Sequence, residues 1–352
     1  MISALHQLVP AAEQGAVTAH ALEVRILLRE MGISSHILSD HIRPEYADVA
    51  TFYGELGKPQ RGQALLYHHA IGSWVGVFVE QRPEPLLVDY HNVTPPGLFA
   101  RWSPDTEHGL QWGLEQLEKL APRTATAFAH SSFSVADLGA FRRTEVVPVL
   151  VDVEAAEPDE QALAALQADG PTWLFVGRVA PHKAQHDLVR ALAVYRSLYD
   201  RRARLFLVGS SASDAYTGML LRLADDLGIG GAVRVTGAVS APVLAAHYRA
   251  ADVFVCLSDH EGFCVPLLEA MHHDVPVVAY AAAAVPETAG DAALLLSSKD
   301  PAVVAAAVHR VVTDRAVHDG LVAAGRRRRE DFALPVARER YRAALERALE
   351  AM

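Results

Sequence analysis

Short apolar runs alternate along the chain with segments whose apolar residues recur every three to four positions. Ile2–Leu8 predicts a strand, and Val17, Ala21, Val24, Leu27, Leu28 and Met31 then fall at helical spacing until Gly32 ends the pattern. Further strands are predicted at Ser35–Leu38, Ala64–Tyr67, Pro85–Asp89, Thr126–Ala129 and Val146–Val149, with helices at Glu107–Leu120 and Ser134–Phe141. The stretch from Val149 to Pro171 is acidic, contains Pro158 and reads as a linker. A second alternating set follows. Its strands are Thr172–Val176, Ala203–Val208, Val233–Thr236, Asp252–Cys256, Val275–Ala279 and Ala292–Leu296. Its helices are Gln185–Leu198, Tyr216–Leu227, Pro242–Arg249, Pro266–Met271, Pro301–Thr313 and Val317–Arg328, and Val336–Leu349 is a final helix. Alternating strands and helices imply parallel, doubly wound sheets.

Composition narrows the class. A chain of 352 residues, 51% hydrophobic and 21% charged, is a globular composition sized for about two domains. No apolar run reaches the roughly 20 residues of a membrane-spanning helix. The N-terminus enters a strand without a basic leader, and two cysteines cannot form a disulfide framework, so the cytoplasm is the expected compartment. A net charge of −10 argues against nucleic acid as a partner. The four lysines are Lys58, Lys119, Lys183 and Lys299, so a lysine inside a motif stands out.

The chemistry concentrates at Ser258–Met271. An apolar run, Val253–Leu257, gives way to a loop with Gly262 and then to a helix opening at Pro266. Strand, glycine loop and helix start bring backbone amides and a positive helix end to one point, a natural anion site. Glu261 and Glu269 flank it. Carboxylates repel phosphate, so they suit hydroxyls, and a phosphate beside hydroxyl-bearing rings describes a nucleotide-sugar. The string Glu261-Gly-Phe-Cys-Val-Pro-Leu-Leu-Glu269-Ala resembles the signature of the retaining GT-B glycosyltransferases of family 4, the glycogen-synthase-like group. Upstream, Phe175–Lys183 carries Arg178 and Lys183 in a loop between strand and helix. Two cations there would stabilise a departing diphosphate more than the bound donor. This loop resembles the family's donor-phosphate motif.

The resemblance implies an α/β fold of two Rossmann-like doubly wound domains facing a cleft. Residues 1–150 would be the acceptor-side domain, 151–335 the nucleotide-sugar domain, and 336–352 a helix packed back on the first. It implies a nucleotide-diphospho-sugar donor, UDP-linked before GDP-linked, a hydroxyl acceptor, and no cofactor. Arg178 and Lys183 would hold the diphosphate, Glu261 sugar hydroxyls and Glu269 the ribose. The amides of Gly262, Phe263 and Cys264 would hold phosphate or sugar, Val239 the base through its backbone, Gly15 a donor phosphate, and His91 would sit near the reacting sugar. Gly15 stands alone where the family has a glycine pair. No Asp-x-Asp motif or His/Cys metal cluster stands out, so transfer without a metal is expected.

His68, His69 and Ser132 read as structural residues, with Ser132 as a helix cap. Arg326–Arg329 reads as a solvated helix end, and no basic amphipathic face for a membrane appears in residues 1–150. Phe99 and Trp102, in the stiff segment Val93–Asp105, look exposed and would shape the site of a small soluble acceptor. Two alternatives keep the same architecture: a sugar-nucleotide 2-epimerase and a non-catalytic partner subunit.

Overall fold

A computed structural model describes residues 2–153, 156–167 and 169–352. Met1 and Ala168, with Glu154 and Ala155 of the expected linker, lie outside the described residues. The chain forms two compact units. The first comprises residues 1–97, 104–152 and 332–352, and the second residues 98–103 and 153–331.

The first unit is a seven-stranded sheet of β1 (Ala4–Ala12), β2 (Ile37–Ile42), β3 (Ala50–Phe52), β4 (Gln63–His69), β5 (Leu86–Tyr90), β6 (Thr124–Ala129) and β7 (Thr144–Val146). Its strand order is β3-β2-β1-β4-β5-β6-β7, and the ladders run parallel. The order reverses between β1 and β4. Strands covered on both faces should be apolar throughout, and β5 is buried at every residue. The Ala16–Glu30 helix buries Val24, Leu27 and Leu28 against Leu5, Leu66 and Leu87. The last helix, Leu334–Glu350, joins the same core through Ala337, Tyr341, Ala344, Leu345 and Ala348.

The second unit is a six-stranded sheet of β8 (Thr172–Val176), β9 (Arg204–Val208), β10 (Val233–Gly237), β11 (Val253–Cys256), β12 (Val277–Tyr280) and β13 (Ala293–Leu296). Its order is β10-β9-β8-β11-β12-β13, again in parallel ladders. The reversal here lies between β8 and β11. No described helix is long and apolar enough to cross a membrane.

Four local expectations are corrected. The strand expected at Val146–Val149 is the three-residue edge strand β7, ending where the other begins. Strand β3 went unpredicted because three residues at a sheet edge carry almost no pattern. The Trp74–Gln81 helix is apolar on nearly every side, which erases the period; the Ser73 hydroxyl caps it by accepting from the Gly76 amide at 3.1 Å. The expected linker contains a helix, Glu160–Leu166, whose cap Asp159 accepts from the Ala162 amide at 2.7 Å.

Candidate donor site and a buried histidine cluster

The two motifs in the second unit end adjacent strands. β8 leads into the Arg178–Lys183 loop and β11 into the Ser258–Cys264 loop, and the sheet reverses its order between these two strands. At such a switch point the flanking loops diverge and leave a crevice at the carboxyl ends of the strands. The Asp259 amide donates to the His182 carbonyl at 2.8 Å, which ties one loop to the other. Lys183 Nζ lies 2.6 Å from Glu261 Oε2, both largely buried. Ser258 Oγ donates to the other carboxylate oxygen at 2.7 Å. Burial alone would lower the Lys183 pKa, but the Glu261 carboxylate beside it outweighs that and holds the ammonium above its ordinary value. Arg178 stays exposed, while its carbonyl accepts from Gln185 Nε2 at 2.9 Å.

The helices that open here are built unlike others in the chain. Ser73, Ser213, Asp300 and Asp314 each cap a helix with a side-chain oxygen. The Gln185–Leu198 helix instead opens at Ala184, φ 50°, and the Val265–His272 helix at Cys264, φ 76°, neither with a side-chain cap bond. Both caps are in the left-handed region, which costs a non-glycine residue on the order of 1 kcal/mol or more and clusters at ligand sites. Inside the second helix, Glu269 Oε2 accepts from the Tyr248 hydroxyl at 2.7 Å. Burial raises the Glu269 pKa, with the Tyr248 hydrogen bond opposing the shift.

Three glycines mark the carboxyl ends of neighbouring strands. Gly177, Gly209 and Gly237 follow or end β8, β9 and β10, with φ of 142°, 144° and 74°. The Gly177 amide donates to the Val208 carbonyl at 2.9 Å and the Gly209 amide to Gly237 at 3.0 Å. A Cβ on Gly209 would meet the Gly177 carbonyl oxygen at 2.2 Å, so the backbones pack without room for a side chain.

The remaining expected residues are spread over both units. Val239 is half-buried in the loop after Gly237. Gly15 caps the Ala16–Glu30 helix after β1; its φ of 164° is extended, and a Cβ there would meet nothing within 4 Å. The fold itself therefore does not require glycine at that position. Phe99 and Trp102 correct an expectation. Both belong to the second unit, and Phe99 is only 4% exposed, its ring 5.5 Å from that of His182. Trp102 is half-buried, edge-on to Tyr216 at 5.2 Å, and its carbonyl accepts from Ser213 Oγ at 2.7 Å. Apolar rings on a stiff loop gain more from cover than from water.

Smaller readings resolve as follows. Ser131, one residue before Ser132, caps the Ser132–Val135 helix. Arg326 forms a two-pronged pair with Asp274 at 2.8 and 2.6 Å, and Arg329 donates to the His272 carbonyl at 3.1 Å, so these members of the arginine run bind neighbouring elements.

Sequence reading missed a polar cluster at the strand ends of the first unit. Asp89, on β5, has no exposed surface. Its Oδ2 accepts from His20 Nε2 at 2.9 Å and from the Tyr341 hydroxyl. His91, expected at a reacting sugar, follows β5, and its Nε2 lies 3.0 Å from His68 Nδ1. Burial alone would raise the Asp89 pKa; the imidazoles of His130 and His20 outweigh it and hold the carboxyl well below its usual range. Burial pushes His68 down to about 3 and His91 well below its ordinary value. His69 points elsewhere, to the Gly113 carbonyl at 2.9 Å, and burial lowers it to about 4. Only a contiguous signal, the Asp89-Tyr-His91 strand end, was visible beforehand.

Comparison with known proteins identifies the family and the fold. Residues 170–314, which hold both donor motifs, match the family model described as glycosyl transferases group 1. The chain is 31% identical over 282 residues to D-inositol 3-phosphate glycosyltransferase 1 of Catenulispora acidiphila, covering 75% of this chain and 67% of that protein. It is 33% identical over 215 residues to the GDP-mannose-dependent alpha-(1-6)-phosphatidylinositol monomannoside mannosyltransferase of Mycobacterium tuberculosis, covering 57% of this chain and 54% of the relative. Against several curated relatives it thus spans about half their length. The structure of sucrose-phosphate synthase from Thermosynechococcus elongatus matches with a TM-score of 0.78 at 20% identity, over 99% of this chain and 100% of that one. The two Rossmann-like parallel sheets are those of the GT-B fold, and the chain belongs to the group 1 glycosyltransferases.

Proposed function

We propose that the chain is a retaining glycosyltransferase that moves a hexose from a nucleoside-diphospho-sugar to a hydroxyl of a small polyol. The observation that carries this reading is the Lys183–Glu261 pair, at 2.6 Å, where two diverging loops meet at the switch point of the second unit. A diphosphate gains charge as its bond to the sugar breaks. The Lys183 ammonium, kept charged by Glu261, and the Arg178 guanidinium neutralise that charge. The diphosphate then needs no metal for this purpose. Glu261 and Glu269 take sugar and ribose hydroxyls, amides of Gly262–Cys264 the phosphate or sugar, and the Val239 backbone the base. In retaining transfer of this kind the departing phosphate takes the proton of the acceptor hydroxyl, so no separate carboxylate base is assigned. In the first unit, Gly15 is assigned to a donor phosphate and His91 to the reacting sugar.

UDP is the expected base carrier, and the mannosyltransferase relative, named as GDP-mannose-dependent, puts GDP beside it. The inositol 3-phosphate named for the Catenulispora relative supports a small polyol phosphate as acceptor. Such a reaction on soluble substrates fits the cytoplasm. The test is a melting-temperature screen of UDP- and GDP-sugars, since a ligand that binds the native state raises it, followed by kinetics of Lys183→Ala and Arg178→Ala. Turnover should fall on the order of 100-fold or more with a smaller change in donor affinity. Normal turnover with only weakened binding refutes leaving-group stabilisation. Donor isomerised in the absence of acceptor would identify an epimerase instead.

A further inference from the structure

The buried cluster of the first unit has the make-up of a cation site. Asp89 divides its two oxygens. Oδ2 is held by His20 and Tyr341, whereas Oδ1 faces the imidazoles of His130 and His91. His130 Nε2 lies 3.0 Å from Oδ1, and its Nδ1 faces the Val147 carbonyl at 3.3 Å. Tautomers follow from the partners. His68 Nε2 faces Gln7 Oε1 at 2.8 Å, an acceptor, so Nε2 carries the proton and Nδ1 a lone pair. His20 is excluded as a ligand: its Nδ1 accepts from the Leu150 amide at 2.8 Å, so its Nε2 proton points at Asp89. His68 Nδ1 therefore accepts from His91 Nε2 at 3.0 Å, a proton that His91 moves to its Nδ1 when an ion binds; His68 Nδ1 lies 3.9 Å from Asp89 Oδ2 and His91 Nε2 3.9 Å from Asp89 Oδ1. One ligand atom from each of His68, Asp89 and His91 lies within 4.8 Å of the others, and ligands about 2.1 Å from one ion stand roughly 3.0–3.5 Å apart, so side-chain shifts of about an ångström complete the geometry.

We propose that His68 Nδ1, His91 Nε2 and Asp89 Oδ1 bind one first-row divalent cation of the Zn2+ type. Imidazole nitrogens with one carboxylate suit such ions. The surroundings match the outer shell such ligands need. The outer His68 N–H is held by Gln7, whose own amide donates to Ser35 Oγ at 3.2 Å, and the outer Asp89 oxygen is held by His20 and Tyr341. The site shares His91 with the proposed sugar contact, while the charges assigned to the leaving diphosphate, those of Arg178 and Lys183, belong to the other unit.

The test uses the full-length protein, stripped with a chelator and titrated with Co2+ in the visible region and with Zn2+ by calorimetry. One ion per chain is expected, with Co2+ absorption bands of low coordination number. His91→Gln leaves the bonds among Asp89, His20 and Tyr341 in place and should abolish those bands; Asp89→Asn should do the same. Gln7→Leu should weaken binding roughly 10–100-fold. Cys256→Ser, outside the cluster, should change nothing. Absence of stoichiometric binding, binding that survives both His91→Gln and Asp89→Asn, or loss of binding in Cys256→Ser would overturn the proposal. Because the readout is metal binding, it stands or falls separately from glycosyl transfer.

Discussion

At the scale of single residues, burial does most of the chemical tuning. His69 is fully buried, bonded to one carbonyl, and lowered to about 4. An unfolded chain protonates this ring near its ordinary 6.5 while the folded one resists. The unfolded state therefore binds more protons in that window, and stability is lost as pH falls from about 6.5 toward 4, at most about 1.4 kcal/mol per pH unit for one group. Replacing the ring by an amide, His69→Gln, should flatten that part of the melting-temperature profile; an unchanged slope assigns the pH dependence to other groups. The two motif carboxylates also differ. Glu269 is bonded to Tyr248 inside a helix, whereas Glu261 is bonded to Lys183 in the loop. If Glu269 takes ribose and Glu261 sugar, Glu269→Gln weakens binding of the free nucleoside diphosphate and Glu261→Gln weakens only the intact donor. Calorimetry with UDP and GDP alone decides this, and equal losses in both variants contradict the division.

At the scale of elements, the second unit depends on strand ends that hold unusual backbone. Gly209, at φ 144°, has the Gly177 carbonyl 2.2 Å from where a Cβ would lie. Gly209→Ala combines a dihedral penalty of about 1–3 kcal/mol with a backbone clash that no side chain can relieve. Denaturant unfolding should show a loss of at least about 2 kcal/mol, and an unaltered midpoint would mean that these strand ends are more pliable than their packing indicates. Such glycines can be seen in a sequence as strand terminators. Their mutual contact cannot, because it depends on β8, β9 and β10 being neighbours.

At the scale of the molecule, the chain passes from one compact unit to the other after Gly97, Ser103, Asp152 and Asp331. The last passage returns Phe332–Met352 to the first unit, where Tyr341 is fully buried against Phe128 with its hydroxyl on Asp89. Tyr341→Ala should cost on the order of 3–5 kcal/mol, as deletion of a large core side chain does. The loss should appear in the first unit: hydrogen exchange would quicken in β1, β4 and β5 and stay slow in β8 and β11. Equal loss in both sheets would show that the two units unfold together.

Features carried by contiguous stretches were determined by the sequence alone. Apolar runs alternating with helical periods specify two doubly wound sheets, since a strand buried on both faces and a helix buried on one leave different patterns. The two candidate motifs are equally local: Arg178 and Lys183 lie five residues apart and Glu261 and Glu269 eight apart, so each is legible as one contiguous string. Tertiary structure decided whatever depends on strand order. Lys183 meets Glu261 across 78 residues because β8 and β11 are adjacent. Gln7, His20, His68, Asp89, His91, His130 and Tyr341 meet because four neighbouring strands and two helices, one of them the last of the chain, converge on one buried carboxylate. No sequence interval encodes that convergence, because a buried charge draws its partners from whatever the fold brings within hydrogen-bonding distance.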